Sequence, residues 1–209
     1  MMSFFHKIAV VTATTAAAFV FSGSALAQAV KVEVEKPTFD DLPSPTDFGG
    51  TKSKSFKPKD WLEVEAKLKV AMRPEPPSKT IERLTVKWYV AVKNPDKAGS
   101  YLLLTKDVEH VNVPLNEDIY SSVYLSPSSI KRLTGADKAG KNAVELVGFE
   151  VLVNGEKLAS ETNKNQPGWW NTASDKISRN DSVPLLGKKD TPFSVMWWDR
   201  YAEEAVERR

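Results

Sequence analysis

The sequence has no cysteine and only two histidines among its 209 residues. Without cysteine there is no disulfide support, no thiolate nucleophile and no lipidated cysteine of the kind that anchors a lipoprotein. His6 lies in the N-terminal segment read below as a leader, so the mature chain keeps only His110. A serine triad uses a histidine base, and zinc is held mainly by cysteine and histidine, so one histidine supports neither. His110 stands between Glu109 and Val111 on an alternating stretch, where a surface or half-buried strand residue is expected. Glycine-rich phosphate loops and EF-hand spacing are also missing. Carboxylate chemistry survives these exclusions, because a glycosidase needs only two acids. No pair among the 27 acidic residues stands out by its spacing, however. The expectation is a protein that is not an enzyme and uses no cofactor or metal. Charge of one sign is lacking too. The 29 basic residues interleave with the acidic ones to a formal net charge of +2, which leaves no dense basic patch for nucleic acid.

What is present begins with a leader. Lys7 precedes an apolar run from Ile8 to Phe21, and Ala25-Leu26-Ala27 follows small residues. A positive start, a short apolar run and an A-x-A site predict a secretory signal peptide over 1–27. The run is shorter than the roughly 20 residues a membrane span needs. It also lies before the cut, whereas a pilin leader is cut ahead of its apolar helix. Cleavage of 27 of the 209 residues leaves 182, enough for a self-supporting core and with no transmembrane segment. The expected location is the periplasm or the cell surface.

Residues 28–55 hold one short alternating stretch, Val30 to Glu35, and then a segment rich in proline, glycine, serine and threonine. That composition predicts an irregular N-terminal arm or linker. Period-2 alternation takes over in the domain predicted for 56–209. Leu62, Val64, Ala66, Leu68 and Val70 share one face, with Glu63, Glu65, Lys67 and Lys69 opposite. Leu84, Val86, Trp88, Val90 and Val92 do the same, placing Trp88 in the core. One or two strands are expected over 101–113 and another over 119–126. Ser126-Pro127 and Gly135 bracket a short helix. Asn154-Gly155 joins two alternating runs as a tight hairpin, with Gly148 marking a bulge. The tail after Trp198 is rich in helix formers. About seven strands with frequent turns predict an all-β, immunoglobulin-like β-sandwich with a short bridging helix and a short C-terminal helix.

Four of the six tryptophans form two doublets, Trp169-Trp170 and Trp197-Trp198. Successive residues of a strand face opposite ways, so each doublet should send one ring inward and one outward. This holds most directly for Trp197-Trp198, which ends the alternating run PFSVMWW. Trp169-Trp170 follows the turn Pro167-Gly168. Trp169, Trp170 and Asn171 are the candidate contacts for a ligand or partner, and packing at the open end of the sandwich is the favoured reading.

DWLEVE (Asp60 to Glu65) resembles the first strand of the pilus-like protein family, and PFSVMWWDRY (Pro192 to Tyr201) resembles its last strand and tail. These are exported immunoglobulin-like proteins encoded with type IV pilus genes in mucin-degrading gut bacteria. The resemblance implies a pilus accessory role with no catalytic residue, in contact with proteins of a pilus or envelope assembly through sheet edges and the N-terminal arm. The alternative from the residues alone is a carbohydrate-binding module that meets glycans through exposed tryptophans.

Overall fold

A computed structural model describes residues 29–46, 56–136 and 140–206. The predicted leader, 28 and 47–55 of the predicted arm, and 137–139 and 207–209 of the predicted domain lie outside the described residues. The described chain runs β1 (Ala29–Val34), β2 (Thr38–Pro43), β3 (Asp60–Arg73), β4 (Thr80–Lys93), β5 (Tyr101–Pro114), β6 (Asp118–Leu125), α1 (Pro127–Thr134), β7 (Val144–Val153), β8 (Glu156–Thr162), β9 (Ile177–Arg179), β10 (Leu186–Gly187) and β11 (Glu203–Glu204). The strands form two sheets packed as a sandwich. One is ordered β1-β3-β6-β10, with β2 also on β3. The other is ordered β11-β5-β4-β7-β8, with β9 also on β5.

Alternation sets the core as expected. Leu62, Val64, Ala66, Leu68 and Val70 of β3 meet Leu84, Val86, Trp88, Val90 and Val92 of β4, all buried in one cluster. β4 lies in the middle of its sheet, antiparallel to both β5 and β7 over most of its length. The helix also forms as its caps predict. The Ser126 hydroxyl accepts from the Ser129 N–H, Pro127 takes the first turn, and Gly135 closes it at φ 74°. Asn154 (φ 51°) and Gly155 (φ 83°) make the β7–β8 turn with both residues left-handed, the twist a two-residue hairpin needs.

Several expectations change. Residues 101–114 form one continuous strand. The count is higher than seven because β2, β9, β10 and β11 are short additions along sheet edges. The N-terminal segment is not irregular where it is described. β1 pairs with Leu68–Arg73 and β2 with Asp60–Glu65, so the two share one edge of β3. Val30, Val32 and Val34 pack against the core, which is why this stretch orders as strand. Gly148 is not a bulge, and the register of β7 shifts elsewhere. The glycine is needed because a Cβ there would meet Trp170 Cζ3 at 2.2 Å. The C-terminal helix is replaced by a single 3-10 turn over Trp198–Arg200, followed by β11. Pairing with β5 through Glu203↔Val111 and Glu204↔His110 outweighs the intrinsic helix preference of the tail.

His110 is fully buried rather than surface-facing. Nδ1 lies 3.1 Å from the Ala202 carbonyl and Nε2 lies 2.9 Å from Ser121 Oγ, which also accepts from Trp88 Nε1 at 3.4 Å. These partners fit a neutral ring with its proton on Nδ1. Burial pulls the His110 pKa from 6.5 down to about 4.

Candidate functional site

Both tryptophan doublets leave the strand geometry assumed for them. Gly168 at φ 95° turns the chain into a 3-10 segment, Trp169–Asn171, lying on the outer face of the β4–β5–β7 sheet. Both rings are buried there, at 9% and 8% exposure, against Ala91, Leu103 and Leu146. Trp169 Nε1 donates to Thr162 Oγ1 at 3.1 Å, and Trp170 stacks on Tyr89 at 4.6 Å between ring centres. Trp170 Nε1 is buried without a hydrogen-bond partner among the described residues. Asn171 is exposed. The three candidate contact residues thus stay adjacent, with the rings against the sheet and the amide turned to solvent. The doublet covers a sheet face rather than the open end of the sandwich.

The second doublet is the one on the surface. Trp197 has φ 51°, which breaks the run Pro192–Trp198 into turns instead of a strand. Trp197 and Trp198 are then 46% and 59% exposed, and Val195 and Val206 are exposed beside them. One ring in and one out is therefore not the arrangement for either pair, because neither pair is on a strand.

The segment carrying these rings is anchored on the outer face of the β3–β6 sheet. Phe193 is buried between Tyr124 and Trp61, with ring centres at 5.4 and 5.8 Å. Trp197 lies over Phe193 at 6.2 Å, nearly parallel. Tyr124 Oη donates to Glu63 at 2.6 Å. Tyr201 Oη donates to Glu65, and Arg200 pairs with Glu65 while its guanidinium sits 3.7 Å from the centre of the Tyr120 ring. Burial raises the Glu63 pKa, the Tyr124 bond pulls it back in part, and the neighbouring Glu65 charge raises it further.

Two carboxylates on one strand face could in principle do acid–base chemistry. Here tyrosine hydroxyls and an arginine occupy both. The sequence shows Glu63 and Glu65 on one face, but Arg200 and Tyr201 arrive from more than a hundred residues away.

Two grooves flank the exposed tryptophans. One, of about 300 Å³, runs between Trp197 and Met196 on one side and Pro43, Pro45 and Pro58 on the other. The second, of about 250 Å³, lies beside Trp198 and is walled by Val195, Tyr201, Val206 and the pair Lys188-Glu204. Glu204 is held in place by the N–H groups of Lys188 and Lys189 at 3.0 and 3.3 Å. Burial raises its pKa, against the pull of those two bonds. No group of histidine, cysteine or acidic residues able to hold a metal occurs among the described residues.

Among the described residues two antiparallel-rich sheets, a single short α-helix and an aromatic tail latched across them define an immunoglobulin-like β-sandwich protein. A family model matches residues 23–208, and the chain belongs to that family, the pilus-like proteins whose strand motifs it carries near both ends. A crystal structure of a protein from Akkermansia muciniphila is similar to it, with 39% identity and a TM-score of 0.80, covering 87% of this chain and 96% of that one. No curated protein matches the sequence. The family and the structural likeness are compatible with export and fit a pilus-associated extracellular protein. Among the described residues no helix is long and apolar enough to cross a membrane.

Proposed function

We propose that the chain is a non-enzymatic exported protein that serves as an accessory component of a type IV pilus or a related cell-surface machine. It meets its partners through sheet edges and the N-terminal strands. The observation that carries this reading is a stretch of edge on β5 that no strand among the described residues pairs with. β9 pairs with Tyr101–Leu103 and β11 with His110–Val111, and the flanking bonds Asn180 N–H to Leu103 and Ala205 N–H to Glu109 close either side. Those bonds fall on odd-numbered residues, so Thr105 and Asp107 turn their backbone N–H and C=O outward between them. An unpaired edge of this kind accepts an extended segment of a partner chain. The family membership supports pilus or envelope proteins as that partner.

A photo-reactive residue placed at Thr105, and another at Trp197, tests this in living cells. Crosslinks to pilus or secretion components support the reading. Crosslinks to neither, from both positions, sink it.

A further inference from the structure

The groove beside Trp198 has a feature that a packing role does not use. Lys188 is only 5% exposed. Its ammonium donates to the Ser194 carbonyl at 3.2 Å and lies 4.8 Å from the centre of the Tyr201 ring. Ser194 is its one hydrogen-bond acceptor among the described residues, although an ammonium carries three donors. Lys188, Ser194 and Tyr201 all line the groove, so the amine sits in its wall. A buried donor left unmatched costs free energy that a bound acceptor recovers.

The rest of the lining narrows the ligand. Val195, Trp198 and Val206 supply an apolar wall, and Trp198 has no aromatic partner among the described residues. The charged residues around it are two lysines, Lys188 and Lys189, and two glutamates, Glu203 and Glu204. Their charges cancel, which favours neither an anion nor a cation. The site offers donors, acceptors and an open indole face together, in a volume below that of a drug-sized pocket. A ring that carries hydroxyls at its rim and C–H groups on its face matches all three.

We propose that this groove is a subsite for a neutral sugar. A single pyranose ring stacks on Trp198, one hydroxyl accepts from Lys188, and another donates to the carboxylate of Glu204. Burial lowers the Lys188 pKa, with Glu204 and Glu63 opposing, and either protonation state of the amine can donate to a hydroxyl. The site is independent of the β5 edge and of the Trp169–Asn171 segment.

Saturation-transfer NMR on the exported protein tests it, with methyl β-D-glucopyranoside, methyl β-D-galactopyranoside and N-acetylglucosamine as probes and cyclohexanol as the apolar control. The expected result is transfer to the C–H protons of at least one sugar at millimolar concentration. Trp198→Ala should weaken binding about tenfold, the scale of one aromatic contact. Trp197→Ala, which alters the other groove, should leave it unchanged. Lys188→Met should also weaken binding, with thermal melts to confirm that each variant folds. No transfer from any of the three sugars overturns the proposal. So does binding that survives Trp198→Ala, or cyclohexanol binding as tightly as the sugars.

Discussion

His110 makes the stability of this protein fall on mild acidification. In the unfolded chain the imidazole takes up a proton near 6.5, whereas in the folded protein it stays neutral until about 4. Between those values the unfolded state binds the extra proton, so stability is lost as pH falls through this window. The gap corresponds to about 3 kcal/mol when fully developed, and about 2–3 kcal/mol of it is expressed by pH 4.5. Glu63 and Glu204 act in the opposite sense. Burial raises both, so the folded state holds their protons more tightly, and they favour folding as pH falls toward their unfolded values. The histidine contribution is therefore isolated by difference. Urea unfolding of the wild type and of His110→Gln at pH 7 and pH 4.5 is the assay. The wild type should lose about 2–3 kcal/mol more than the variant over that interval. With the leader removed, His110 is the only histidine, so its ring resonances can be titrated without ambiguity. Parallel stability profiles, or a ring that titrates near 6.5 in the folded protein, would refute the reasoning.

Two further perturbations test the packing. Gly148→Ala places a methyl 2.2 Å from Trp170 Cζ3 and 2.8 Å from Cε3, forcing the ring off Tyr89. A loss of about 1–3 kcal/mol and a lower melting temperature are expected, and an unchanged melt would show that the ring does not rest there. Phe193→Ala empties the space between Tyr124, Trp61 and Trp197, with an expected cost of about 3–5 kcal/mol in urea unfolding and faster proteolysis within 191–200. Destabilisation with no change in proteolysis at that segment would detach Phe193 from the anchoring role.

What the sequence made legible was short in range. The faces of β3 and β4, the capped helix α1 and the Asn154-Gly155 hairpin each follow from residues within a few positions of one another. Period-2 alternation misplaces the tryptophan doublets because it presumes an extended backbone. Gly168 and, less predictably, Trp197 take left-handed conformations that turn the chain before the doublet can alternate. A tryptophan at φ 51° carries no sequence signal, since glycine or asparagine is the usual occupant of that region. Alternation misses the burial of His110 for a different reason. Its partners, Ala202 and Ser121, come from β6 and from the tail, and alternation along β5 says nothing of what the tail will cover. Glu63 and Glu65 show their shared face in the sequence but not their occupants. The C-terminal helix failed because Glu204 does more as a backbone-pairing residue and an acceptor for two N–H groups than as a helix former.

The tail also has a mechanical meaning. Phe193, Arg200 and Tyr201 grip the outer face of one sheet, and within a few residues Glu203 and Glu204 join the edge of the other. The chain thus buckles the two sheets together on this side without a covalent bridge, since it has no cysteine. A buckle made of ring contacts and an arginine–glutamate pair is indifferent to reductants and oxidants. Its ionic part is weakened by salt, because half-exposed Arg200 lets screening ions reach the pair.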